Sequence, residues 1–406
     1  MSLVLGHPLL ENGSPLASLI WTQRQDIGPS ARYGHALAYD EGKEQTFLVG
    51  GDGLGVVFRD TWLWNGETWT QVGDIGPSGR AGHAVAYDSA RGRIVLFGGR
   101  SKTVLADTWE WDGEAWTQVE DTGPSARSRH ALAYDSARSR VVLFGGENAA
   151  FGLLGDTWEW DGDEWTQVAD TGPAPRAGHA MCFDAPAMRT VLFGGSSGSD
   201  TWAWNGTDWT ELNDVGPAPC EGTCLVFTGQ STVLFGGIDP TTTPATLFRL
   251  TWELDGADWT ERQDMGPAPR YGHAMAYDKA RGRVVFFGGS GAPPDTATAA
   301  NLFSDTWELP VAAHGPGPPA LVSFTITPEI VRQAETFTLR VGLDQPAPVD
   351  VAVSILFDGT AVRTMVVEAG QTTSELALPS AALDFGTNSF TAVWGDVSLH
   401  APVTFQ

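Results

Sequence analysis

A diglycine closes an apolar run six times along the 406 residues: Gly50-Gly51, Gly98-Gly99, Gly145-Gly146, Gly194-Gly195, Gly236-Gly237 and Gly288-Gly289. Successive doublets lie 48, 47, 49, 42 and 52 residues apart. Such a period marks repeats that cannot bury an apolar face alone and must stack on their neighbours. The surrounding text recurs too, as in GPSGRAGHAVAYDSARGRIVLFGG followed by DTWEWDGEAWTQV. In that copy the runs 84–87, 94–97, 107–111 and 116–119 read as short strands. Asn65-Gly66, Asp112-Gly113, Asp161-Gly162, Asn205-Gly206 and Asp255-Gly256 accept positive φ and tighten the turn between the third and fourth strands. Four antiparallel strands, six times over, describe the blades of a β-propeller.

The repeat text resembles the Kelch family. The features that carry the resemblance are the diglycine after the second strand, the preceding Arg-x-Gly-His, and a Trp in the fourth strand (Trp69, Trp116, Trp165, Trp209, Trp259). The likeness spans roughly residues 21–309 and implies an all-β, six-bladed propeller. Blade five departs from it, with Cys220-Glu-Gly-Thr223 in place of Arg-x-Gly-His and Leu250-Thr-Trp252 in place of Asp-Thr-Trp. The last repeat stops after its third strand at Trp307-Glu-Leu309, while a fourth-strand text, Trp21-Thr-Gln-Arg-Gln25, stands near the start of the chain. The N-terminal strand is therefore expected to close the ring, which removes exposed sheet edges.

Four segments follow: an N-terminal arm 1–19, the propeller 20–310, a Pro/Gly linker 311–320, and a module 321–406. In the module, the runs 322–326, 336–341, 349–357, 361–367, 373–378, 389–394 and 397–405 read as strands, with a hairpin signal at Asp358-Gly359. Seven strands in that length resemble the immunoglobulin-like β-sandwiches appended to bacterial surface proteins.

A net charge of −25 argues against nucleic acid, whose phosphates need a basic face, and against anionic membranes. No apolar run is long enough to insert in a membrane, and the N-terminus lacks the pattern of a signal peptide. Three cysteines (Cys182, Cys220, Cys224) form neither a disulfide framework nor a metal motif, and leave open whether Cys220 and Cys224 pair. No cofactor or metal is expected. The domain types suggest an extracellular or surface-associated protein.

The loops between the second and third strands vary between repeats while the opposite turns do not, so recognition is expected on the variable-loop face. That face carries Arg32, Arg80, Arg127, Arg176 and Arg270, each three residues before His35, His83, His130, His179 and His273. An Arg ring there could take carboxylates through bidentate hydrogen bonds, as the resemblance to peptide-capturing Kelch domains implies. The other reading is that both residues hold turns together. Glu221, which breaks the pattern, joins the candidate ligand-binding residues; a degenerate repeat is the alternative.

Catalytic chemistry is harder to find. The Tyr at one repeat position (Tyr39, Tyr87, Tyr134, Tyr277) does not supply the Cys-linked tyrosine of copper-radical oxidases, and the boxes of sialidases are absent. The recurring Asp60, Asp107, Asp156, Asp200 and Asp305 read as turn groups. Acid–base catalysis needs carboxylates in unlike environments, which symmetry-related copies do not offer. The expectation is a non-enzymatic binding or scaffold protein that presents a protein or glycan ligand site, with assembly through the arm or the module. The alternatives are a propeller enzyme, either a metal-dependent oxidase or a glycan-cleaving one, and a structural subunit of a particle.

Overall fold

The computed structural model describes residues 21–311 apart from 25, 26, 197, 214, 264 and 265, together with 321–327, 330–331, 336–343, 351–357, 360–367, 371, 373–379, 386–394 and 397–405. The expected arm 1–19, nearly all of the linker and the Asp358-Gly359 turn lie outside the described residues. The chain divides into two compact units, Met1–Ala312 and Ala313–Gln406.

Among the described residues, the first unit holds six four-stranded antiparallel sheets, numbered here in chain order from the one that contains Ala36–Asp40. The second sheet is typical: Ala84–Asp88, Arg93–Phe97, Thr108–Trp111 and Trp116–Glu120, each bonded to the next. Its last turn forms because Asp112 Oδ1 accepts from the amides of Glu114 (2.9 Å) and Ala115 (2.8 Å), with Gly113 at φ 96°. First strands pack against one another in succession, and Ala274–Asp278 of the sixth sheet returns to Ala36–Asp40. The unit is thus an all-β, propeller-like ring of repeated sheets.

Thr22–Gln23 supplies the outer strand of the sixth sheet, pairing Thr22 with Glu308 and Gln23 with Trp307. The core lies between sheets: Phe47 and Val49 of the first sheet pack with Ile94, Leu96, Trp111 and Trp116 of the second. Burying such aromatic side chains is worth several kcal/mol each, which is why one sheet alone has no stable existence. Fourth-strand tryptophans also reach back to the preceding sheet through Nε1. Trp116 donates to Thr61 Oγ1 (3.0 Å), Trp165 to Thr108 Oγ1 (2.9 Å) and Trp69 to Thr306 Oγ1 (2.8 Å).

The second unit contains a three-stranded sheet (Leu321–Thr327, Thr336–Leu343, Thr373–Pro379) and a five-stranded one (Ile330–Val331, Val397–Phe405, Gly386–Trp394, Val351–Phe357, Thr360–Val367). Each run expected from the sequence contains a strand, residues 349 and 350 of the third run lying outside the described residues. Ile330–Val331, which pairs in parallel with Val397–Phe405, was not anticipated, because two residues are too few to show alternation.

Candidate active site at the channel mouth

The repeated arginines are the largest polar groups buried in the ring. Arg80 Nε donates to Ser78 O (3.0 Å), Nη1 to Gly98 O (2.8 Å) and Asp107 Oδ1 (2.7 Å), and Nη2 to Asp107 Oδ2 (2.8 Å). Arg32 with Asp60, Arg127 with Asp156, Arg176 with Asp200, and Arg270 with Asp305 repeat the arrangement. Each Asp also accepts from a Trp, such as Trp109 Nε1 on Asp107 Oδ2 at 2.7 Å. Burial alone would raise the Asp107 carboxyl, but the hydrogen bonds and charge of Arg80 outweigh it and hold it below the usual range. The same holds for Asp60, Asp156 and Asp200.

The expectation that Arg32, Arg80, Arg127, Arg176 and Arg270 grip a ligand carboxylate is therefore corrected. The fork that would take the ligand is already filled by an Asp at or just before the third strand. His35, His83, His130, His179 and His273 are corrected likewise: all are 5% exposed or less. His35 Nε2 lies 3.1 Å from Phe287 O. The other four rings lie against the carbonyls of Val49, Phe97, Phe144 and Phe235 without full hydrogen-bond geometry. Burial first and the adjacent arginine second push all five below their ordinary range, to about 3 for His83, His179 and His273.

In the fifth sheet Cys220 replaces the Arg and Leu250 the Asp, so the ion pair is lost as a unit and leaves no lone buried charge. The thiols of Cys182, Cys220 and Cys224 are free, and burial pushes each up to about 12. Burial thus disfavours the thiolate, the form that acts as a nucleophile.

At the entrance to the first strands, six backbone amides close a hydrogen-bonded circle. Gly34 donates to Gly272 O (2.7 Å), Gly82 to Gly34 O (2.7 Å), Arg129 to Gly82 O (2.6 Å), Gly178 to Arg129 O (2.8 Å), Gly222 to Gly178 O (2.8 Å) and Gly272 to Gly222 O (2.8 Å). Every member has left-handed φ, which is why five are glycine; the sixth, Arg129, sits at φ 57° with a full side chain. That conformation is costly for an arginine and clusters at functional positions.

Arg129 breaks the symmetry of the mouth. Its guanidinium passes over Gly178, where an added Cβ would lie 2.8 Å from Nη2, and pairs with Glu221 of the fifth sheet. Nη1 lies 3.4 Å from Glu147 Oε2, and Arg100 Nη2 lies 3.9 Å from the other oxygen of that carboxylate. Glu147 follows the diglycine of the third sheet, and Ser128 Oγ is 3.4 Å from its Oε1. Across the ring, Tyr33 of the first sheet and Tyr271 of the sixth meet edge-to-face at 6.1 Å. Burial raises both phenols, Tyr271 to about 12, so both remain hydroxyl donors. Ala81 and Ala177 occupy the intervening positions. The mouth thus has an aromatic side and an ionic side.

Of the residues singled out in the sequence, only Glu221 lies in this cluster. Arg129, Glu147, Tyr33 and Tyr271 were missed. One signal was present: Arg129 stands where the other five repeats have Gly34, Gly82, Gly178, Gly222 and Gly272. Farther along the first strands, a cavity of about 160 Å³ is lined by Leu37, Tyr39, Val85, Tyr87, Met181 and Tyr277 among others, without charged groups.

No protein-family model and no curated protein matches the sequence. Among solved structures, the chain is similar to YjhT at 12% identity and TM-score 0.54, over 69% of this chain and 95% of that one. It also aligns with an exo-β-1,3-galactanase from Phanerochaete chrysosporium with β-1,3-galactotriose, at 11% identity and TM-score 0.40, over 80% of this chain and 95% of that one. A second structure of that galactanase aligns with TM-score 0.39. The expectation of a non-enzymatic binding or scaffold protein is corrected here. The Arg ring on which the expectation rested is closed to ligands, because an internal Asp already fills each fork. At 12% identity the likeness to YjhT concerns the all-β, propeller-like fold alone.

Proposed function

We propose that the chain is a carbohydrate-active enzyme of the glycan-cleaving class, with its site at the channel mouth on the variable-loop face. Its frame is read as a six-bladed Kelch-type propeller over 20–310, followed by a linker 311–320 and an immunoglobulin-like sandwich over 321–406. The observation that carries the reading is the break in sixfold symmetry: a left-handed Arg129 joins Glu147 and Glu221, facing Tyr33 and Tyr271. A pyranose ring offers an apolar face for aromatic side chains and hydroxyls for ionic groups, and this mouth supplies both.

Glu147 and Glu221 are not symmetry-related, so the objection that repeats cannot furnish unlike carboxylates does not apply to them. Glu147 is 10% exposed and near Ser128, Arg100 and Arg129; Glu221 is 17% exposed and pairs with Arg129. In glycoside hydrolysis one carboxylic acid protonates the departing oxygen, and the other, as carboxylate, activates water or attacks the anomeric carbon. Arg129, bonded to both, orients them and holds charge as the proton moves.

The test is release of reducing sugar or aglycone from a panel of oligosaccharides and aryl glycosides, comparing wild type with Glu221→Gln and Glu147→Gln. Turnover by wild type that falls by about 10³ or more in either variant is expected. Turnover that neither substitution affects would place the chemistry elsewhere.

A further inference from the structure

Resting on that reading, we propose that the sugar unit seated at the mouth is neutral or cationic, and that uronic and sialic acids are excluded. The argument is an inventory of charge. The five repeated guanidiniums each hold an internal Asp through both terminal nitrogens and are at most 1% exposed. Arg129 is shared between Glu147 and Glu221, and Arg100 faces Glu147 with its guanidinium over the Phe151 ring. Asp52 pairs through its backbone with Tyr33, as Glu147 does with Ser128. Three carboxylates, Glu147, Glu221 and Asp52, therefore meet two arginines; Arg129 is shared between the first two, and Arg100 reaches Glu147 only at 3.9 Å.

A sugar carboxylate that took Arg129 would have to displace Glu147 or Glu221 and leave that side chain an uncompensated anion among others. Displacing one partner of a charge pair without replacing its counter-charge is the costly case. A hexosamine ammonium would instead meet a surplus of acceptors, Glu147 and Glu221 among them. Neutral hydroxyls can accept from Arg129 and donate to the same carboxylates without altering the charge balance.

The experiment is calorimetric titration of the intact chain with galactose, galactosamine and galacturonate, and with the corresponding glucose series, at about 20 mM and about 500 mM salt. The expected result is binding of the neutral sugar and a tighter hexosamine whose advantage shrinks in salt. The hexuronate should bind at least about tenfold more weakly than the hexose. Glu221→Gln or Glu147→Gln, with near-ultraviolet circular dichroism confirming the fold, should narrow that gap. A hexuronate that binds as well as the hexose, or a gap unchanged in both variants, overturns the inference and leaves the glycan reading standing. Absence of binding by every sugar, together with absence of glycan turnover, overturns the reading and the inference with it.

Discussion

Trp21 Nε1 donates to Thr251 Oγ1 at 3.0 Å, across 230 residues of chain. This is the same bond that Trp116 makes to Thr61, so the N-terminal strand enters the sixth sheet with its sidewall contacts complete. Trp21 also packs edge-on against Phe235 and Phe286. Trp21→Ala and Trp116→Ala are therefore expected to cost similar amounts, each about 3–5 kcal/mol, measured by urea unfolding. A Trp21→Ala loss under about 1 kcal/mol would show that the ring does not depend on its closing strand.

The Arg–Asp pairs behave as units. Arg80→Cys alone leaves Asp107 without its fork and is expected to cost about 3 kcal/mol or more. Adding Asp107→Leu reproduces the Cys220/Leu250 arrangement of the fifth sheet and should restore much of that loss. A double variant no more stable than the single one, in the same denaturant series, would refute the coupling.

Arg129 holds a conformation that glycine holds in the other five repeats. Arg129→Gly should therefore stabilise the fold by roughly 0.5–1 kcal/mol while abolishing turnover. Thermal unfolding and the glycoside assay, run on one preparation, read both effects. Loss of stability together with activity would make Arg129 a strut and nothing more.

The buried histidines set an acid limit. His83, His179 and His273 are held at about 3, chiefly by burial, whereas an unfolded histidine titrates near ~6.5. Below that value the unfolded chain takes up protons that the folded one refuses. Stability is therefore full above roughly pH 6.5 and falls as pH drops toward about 3, at about 1.4 kcal/mol per histidine per pH unit. The depressed Asp60, Asp107, Asp156 and Asp200 add a later loss, beginning below about pH 4. Tryptophan fluorescence in denaturant at pH 7, 6 and 5 checks the onset, and a flat unfolding free energy across that range would contradict it.

The frame was legible because its signals are repeated: the diglycines, the Asp-Gly turns and the missing fourth strand each stand out against other copies. The site was not, for two physical reasons. The partner of each arginine lies on another strand, 28 residues on for Arg32 and 35 for Arg270, so Arg and Asp read as two separate periodicities. Arg129 departs from the repeat in a single copy, where function and decay of a motif look alike, while Glu147 and Tyr33 stand at positions that vary from repeat to repeat. Only left-handed φ at Arg129 and its reach to Glu221, 92 residues away, separate the two.

The circle of amides through Gly34, Gly82, Arg129, Gly178, Gly222 and Gly272 has no first or last member. Hydrogen bonds that feed one another in this way stiffen together, so a shift at any one of them is resisted by all. A side chain mounted on such a hoop inherits its rigidity: Arg129 belongs to one repeat but is held in register by six. Tight tolerance at one asymmetric position is what a symmetric frame can lend, and the other five repeats can then remain plain.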